Sequence, residues 1–181
     1  QFARWLRLMI TLSLTALSRT KGPSRPGVLF LLDEFAALGH LRMAERGMAE
    51  GRAYGVKMWP ILQDLNQLKD NYRDGWQTFI GNARIIQFFG TADLFTAKYA
   101  SDMLGKTTVW SSGSSGSRES TSETGRPLLT PDEVMNMGPD EELLFFRGGL
   151  RPIRAQKLPY FLSSLKDYAE PNPMAEDGNQ R

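Results

Sequence analysis

Five apolar residues with no alternation, VLFLL at residues 28–32, run directly into two acids, Asp33 and Glu34. A strand with one wet face alternates apolar and polar side chains. An unbroken apolar run closed by turn residues is the pattern of a strand buried on both faces, as in a parallel sheet between helices. Two further predominantly apolar runs follow: residues 56–62 end at Gln63, and residues 83–89 end at Gly90 and Thr91. Helical sequence separates them, over 41–53 with Gly47 and Gly51 as interruptions, and again from Leu65. A third helix carries Leu94, Phe95, Lys98, Tyr99 and Met103, with Thr91 as its expected N-cap and Gly105 as its C-cap. Strands alternating with helices imply right-handed crossovers, hence an α/β fold on a mostly parallel sheet flanked by helices. Ligands of such sheets lie at the carboxyl ends of the strands, which makes Asp33, Glu34, Gln63, Gly90 and Thr91 the residues to watch.

The rest of the chain frames that unit. Residues 2–18 place Leu6, Met9, Ile10, Leu14 and Leu17 at helical spacing. Their apolar stretch is broken by Thr11, Ser13 and Thr15 and falls short of the ~20 residues that span a bilayer, so a packed amphipathic helix is expected. That helix opens without a cap behind Gln1, as a piece of something longer would. Residues 111–125, SSGSSGSRESTSETG, cannot bury a face and read as a flexible surface loop, with a natural hairpin tip as the alternative. Thr130-Pro131-Asp132-Glu133 is a capping box with proline at the first helical position, opening a short helix to Met137. Residues 143–146 and 152–158 read as two strands joined through Gly148 and Gly149, a C-terminal β-hairpin extension. The domain then runs over 1–168, with 169–181 as a disordered tail.

Composition narrows the chemistry. With no cysteine, disulfide frameworks, thiolate metal sites and cysteine nucleophiles are excluded, and with one histidine, His40, so is any multi-histidine metal site. The acid pair after the first strand is the pattern known as Walker B. Successive side chains at a strand end point to opposite sides. One carboxylate can therefore hold a hydrated Mg²⁺ while its neighbour polarises a water for attack on a terminal phosphate. Its usual companion, G-x-x-x-x-G-K-[ST], is missing. Gly22 to Gly27 satisfies the first six positions, but Val28 and Leu29 stand where the lysine and the hydroxyl belong.

The order of these motifs resembles one family. LLDEFAALG at 31–39, GR at 51–52, ILQDLNQL at 61–68, GN at 81–82, FGTAD at 89–93, LGKTT at 104–108 and RPLLTPDEV at 126–134 are similar to the TraG/TraD-type coupling proteins of type IV secretion and conjugation, over roughly residues 5–160. The resemblance implies the C-terminal portion of a RecA/FtsK-like nucleotide-binding domain, with the family's phosphate loop and membrane anchor in its N-terminal part. It implies ATP and Mg²⁺ as cofactors, and a ring, usually a hexamer, at the cytoplasmic face of the bacterial inner membrane. The implied work is moving single-stranded DNA with its bound relaxase to the secretion channel. Relaxosome proteins, channel ATPases and inner-membrane components are the implied partners. By position, Asp33 matches the Mg²⁺-holding aspartate, Glu34 the catalytic glutamate, and Gln63 the glutamine that senses the terminal phosphate or orients water. Arg52 matches an arginine that reaches a neighbouring subunit's nucleotide. Without the phosphate loop, the chain alone is expected to be inactive. Lys69, Arg73, Arg118 and Arg126 are basic candidates for DNA, none assigned to a pore, and Arg84 and His40 read as structural. Protein effectors as cargo, or a non-catalytic docking module, are the alternatives.

Overall fold

The helical spacing of residues 2–18 is realised in α1 (Phe2–Ser18), which turns Ile10 and Leu14 into the core. The structure, a computed structural model, describes residues 2–19, 27–115 and 118–168, and side chains within them except at Phe2 and over 110–124. The tail expected over 169–181 and the glycine-proline stretch 22–26 lie outside the described residues.

β1 (Val28–Leu32) and β2 (Val56–Pro60) form a parallel pair, in register from Val28 opposite Val56 to Leu32 opposite Pro60. The crossover between them holds α2 (Arg42–Glu50) between two 3₁₀ turns, Phe35–Leu38 and Gly51–Tyr54. Two glycines that interrupt the helical sequence here have a packing reason. A Cβ on Gly51 would stand 3.2 Å from the Val56 carbonyl oxygen, and one on Gly47 would stand 3.3 Å from the Met58 sulfur. Glycine at both positions lets the crossover lie close on β2.

The pair departs from the expected double burial. Leu32 and Val56 are buried, while Leu29, Leu31 and Trp59, alternating with them, are more than half exposed. Helices cover one face of this two-stranded sheet, and no described element covers the other.

After β2 come α3 (Leu65–Tyr72), α4 (Trp76–Asn82), β3 (Ile85–Phe89) and α5 (Leu94–Leu104). The alternation of apolar runs with helices predicts β3 parallel to the first two strands. Instead β3 pairs antiparallel with β6 (Glu141–Phe146), which pairs antiparallel with β7 (Ile153–Gln156). An apolar run announces burial but not the neighbour. Here the choice follows from facing side chains, Phe88 meeting Phe145 edge-on at 5.7 Å, with Leu143 almost fully buried beside them. β6 and β7 form the expected hairpin, turned through Gly148 and Gly149, both at positive φ (116° and 92°) that other residues rarely adopt.

Of residues 111–125, expected as a flexible loop or a hairpin tip, 111–115 and 118–125 belong to the strands of an antiparallel ribbon, β4 (Lys106–Ser115) and β5 (Arg118–Pro127), with ten residue pairs. Its backbone satisfies itself across the ladder, which needs no apolar side chains. The capping box is complete at α6 (Pro131–Met135), where the Thr130 hydroxyl accepts from the Glu133 backbone N–H and the Glu133 carboxylate accepts from the Thr130 N–H. The core centres on Phe35, which stacks on Tyr72 (5.9 Å, 9°) and tilts against Phe79 (5.5 Å).

Candidate functional site

Both parallel strands end in turns that present polar side chains, and the ladder continues just past them. The Ile61 N–H donates to the Leu32 carbonyl (2.9 Å) and the Phe35 N–H donates to the Ile61 carbonyl (3.0 Å). These two bonds hold residues 33–34 against residues 61–63. Asp33 folds back so that its Oδ1 accepts from the Glu34 N–H at 3.1 Å. Glu34 sits in the left-handed region (φ 49°, ψ 43°), before the turn Phe35–Leu38. Such a conformation costs a non-glycine residue about 1–3 kcal/mol and is concentrated at functional sites.

The structure brings together two of the residues singled out from the sequence, 29 positions apart. The Gln63 side-chain amide donates to both carboxylate oxygens of Glu34, in long contacts of 3.4 and 3.5 Å. Gln63 is itself steadied, its backbone N–H donating to Gln67 Oε1 at 3.1 Å. Asp33, Glu34 and Gln63 are all exposed. They form an oxygen-rich, open corner at the carboxyl ends of β1 and β2, where a hydrated cation and a phosphate have access.

Arg52 is not at this corner. It lies exposed in the turn Gly51–Tyr54, directly before β2, and therefore at the opposite end of the strand from Gln63. A five-residue strand at ~3.3 Å per residue separates the two by more than an arginine side chain spans. Within one chain, Arg52 does not reach what Glu34 and Gln63 reach.

A second cluster joins the loop carrying Gln63 to α5. Asp93, not Thr91, is the N-cap of α5, and the Thr91 hydroxyl accepts from the Asp93 N–H (3.1 Å). Asp93 Oδ2 accepts from the Thr96 N–H (2.8 Å) and the Thr96 hydroxyl (2.7 Å), while its Oδ1 accepts from the Asn66 side-chain amide (2.9 Å). The buried Thr96 oxygen in turn accepts from the Leu65 N–H (2.9 Å). The hydrogen bond from the Thr96 hydroxyl, foremost, holds the Asp93 carboxyl below its ordinary pKa. Asn66 and Asp93 lie inside the motifs ILQDLNQL and FGTAD, and sequence alone assigns neither a role. The available signal was an acid three residues before a threonine at the mouth of an apolar helix.

The remaining candidates are dispersed. Lys69 lies over the Phe95 ring (4.9 Å), Arg73 stands at the C-cap of α3 with positive φ, and Arg126 pairs with Glu133 at 2.5 Å. Arg118 falls where side chains are not described. His40 packs edge-on against Tyr72 at 5.1 Å, the structural part expected of it, and the Arg84 carbonyl accepts from the Arg147 N–H. Among the described residues no three His, Cys, Asp or Glu side chains converge as a metal-binding group, and no helix is long and apolar enough to cross a membrane.

The parallel pair, its helical crossover and its polar corner define a RecA-like α/β fold. The conjugative coupling protein TrwBdeltaN70, in its unbound monoclinic form, superposes with a TM-score of 0.70 at 21% identity, over 83% of this chain and 36% of that one. TrwB with the ATP analogue ADPNP superposes with a TM-score of 0.68 at 21% identity, over 85% of this chain and 37% of that one. The chain belongs to the type IV secretory system conjugative DNA transfer family, whose profile matches residues 2–180. It is 36% identical to the conjugal transfer protein TraG of Agrobacterium fabrum over 165 residues, 86% of this chain and 25% of that protein. It is 32% identical to protein VirD4 of the same organism over 145 residues, 76% of this chain and 22% of that protein. The chain thus spans about a quarter of the length of these relatives.

Proposed function

We propose that this chain supplies the hydrolytic wall of an ATP-driven coupling protein that moves single-stranded DNA, with its bound relaxase, to a type IV secretion channel. The observation that carries the proposal is the contact of Gln63 with Glu34 beside Asp33, at the carboxyl ends of parallel strands. The phosphate-binding loop comes from sequence outside this chain, since no G-x-x-x-x-G-K-[ST] occurs in it. Relatives support the setting: TrwB structures hold ADPNP, or ADP with Mg²⁺.

The residues present suit Mg²⁺. Two adjacent exposed carboxylates with no nitrogen or sulfur donor make a hard, oxygen-only site. Mg²⁺ is held by one or two carboxylates, waters and substrate phosphates, not by an all-protein cage. Asp33 would hold the ion through water, and the ion would supply charge neutralisation at the phosphoryl oxygens. Glu34 takes the proton of the water that attacks the terminal phosphate, and Gln63 sets the direction of the Glu34 carboxylate and that water. Arg52, at the far end of β2, acts on the nucleotide of a neighbouring copy, so that the complete site lies between subunits of a ring. The ring is a hexamer at the cytoplasmic face of the inner membrane, engaging relaxosome proteins, channel ATPases and inner-membrane components.

The test is Glu34→Gln in a full-length protein that contains this span. Nucleotide binding is expected to stay within a few-fold, while turnover falls by about 10²- to 10⁴-fold, the worth of a general base. Turnover within a few-fold of the unaltered protein refutes the assignment.

A further inference from the structure

Glu34 and Gln63 stand on two exposed turns, and each turn needs a restraint to keep the pair in place. Glu34 keeps a left-handed backbone (φ 49°), which a non-glycine residue holds only where its surroundings over-determine it. The contact between the two side chains does not supply that restraint. At 3.4 and 3.5 Å it is longer than the ~3 Å of a strong N–H···O bond, and it lies open to solvent.

α3 reaches both turns. Its Gln67 side-chain oxygen accepts from the Gln63 backbone N–H at 3.1 Å, and its Asn71 side-chain amide donates to the Ala36 carbonyl at 3.1 Å, two residues beyond Glu34. Four positions apart, the two amides lie on one side of the helix, a turn from each other. Among the described residues, the only other side chain bonded to the backbone of residues 34–36 or 61–63 is that of Asp33, through the Glu34 N–H. The helix is a firm support. Leu65, Leu68 and Tyr72 turn into the core, and Tyr72 stacks on Phe35 directly behind Glu34. Asp64 caps the helix, its Oδ1 accepting from the Gln67 N–H at 2.9 Å. In an ordinary capping box the glutamine reaches back to the cap residue itself. Here it reaches one residue further, to Gln63.

We propose that Gln67 and Asn71 are positioning residues of the hydrolytic site. From one face of α3 they set the spacing between the Gln63 turn and the Glu34 turn, and so the direction of the Glu34 carboxylate toward the attacking water. Both act through backbone, Gln67 at the N–H of Gln63 and Asn71 at the turn that follows Glu34. The inference rests on the hydrolytic reading of Glu34 and Gln63 given above.

Alanine is the best helix former, so Gln67→Ala and Asn71→Ala are expected to leave α3 folded, with circular dichroism unchanged. In a full-length protein that contains this span, each is expected to lower kcat for ATP by about tenfold or more while nucleotide affinity, read with a fluorescent ATP analogue, stays within about twofold. A merely structural role moves both quantities or neither. The sharper readout is the background of Gln63→Ala, where Gln67→Ala is expected to cost less than about twofold, because the side chain it positions is gone. A kcat within about twofold of the unaltered protein removes the substituted residue from the role, and equal losses with and without Gln63 overturn it for Gln67. The two layers separate cleanly. If Gln63→Ala slows turnover and neither α3 variant does, the positioning role alone falls. If Gln63→Ala itself leaves turnover unchanged, the part given to Gln63 in hydrolysis falls, and the role of Gln67 with it.

Discussion

Replacing Asp93 by alanine tests whether the clamp between α5 and the loop of Gln63 holds that loop in place. Three donors lose their acceptor: the Thr96 N–H, the Thr96 hydroxyl and the Asn66 amide. Loss of the N-cap costs about 0.5–2 kcal/mol. The Asn66 and Thr96 side-chain bonds to a carboxylate add about 1 kcal/mol between them once partial exposure is allowed for. A total of about 1.5–3 kcal/mol corresponds to a urea midpoint lowered by about 1 M at an ordinary slope. Asp93→Asn keeps an acceptor and an equally good cap, so it should cost less than about 1 kcal/mol. Hydrogen exchange read by mass spectrometry should quicken over residues 61–68 in the alanine variant, because the Leu65 N–H is bonded to the Thr96 oxygen that Asp93 orients. The acid limb should change too. Asp93 has a lowered folded-state pKa, so its contribution is present above the ordinary aspartate range and lost as pH falls through and below it. Both variants should flatten that loss. A midpoint within about 0.2 M of the unaltered chain for Asp93→Ala, or unchanged exchange over 61–68, refutes the clamp.

Phe35 is 1% exposed between Tyr72 and Phe79, directly behind the acid pair. Phe35→Ala should cost about 3–5 kcal/mol, measured by urea unfolding, and a loss below about 1 kcal/mol would show that the cluster re-closes. Burial pushes the Tyr72 hydroxyl up to about 12, and its oxygen accepts from the Leu41 N–H. A raised pKa means stability held below the unfolded value near 10 and lost as pH climbs toward 12. Tyr72→Phe should remove that alkaline loss in thermal melts from pH 9 upward, and identical melts for the two proteins would contradict the assignment.

How much of this was legible in the chain varies by element. α1, the crossover between β1 and β2, the capping box at Thr130 and the turn at Gly148 and Gly149 are each signalled within a few residues. Spacing, caps and positive φ are local properties, and local signals survive in sequence. The partner of β3 is not local. The run over 83–89 is apolar whether its neighbour is β2 or β6, and only the meeting of Phe88 with Phe145 decides. Likewise residues 111–115 and 118–125 lack the apolar side chains that mark a strand, yet pair because the ladder is made by backbone.

The same division runs through the site. The sequence by itself determined the class of chemistry: no thiol, one histidine, and two acids and a glutamine at strand ends, in a motif order shared with one family. Tertiary structure alone decided which of these residues stand together. Parallel pairing of β1 with β2 puts their carboxyl ends side by side, so Glu34 and Gln63 meet across 29 positions. The same pairing puts Arg52 at the amino end, a strand's length away. A residue's type is written in one letter, but its distance from another depends on strand direction, and direction is settled only when the chain packs.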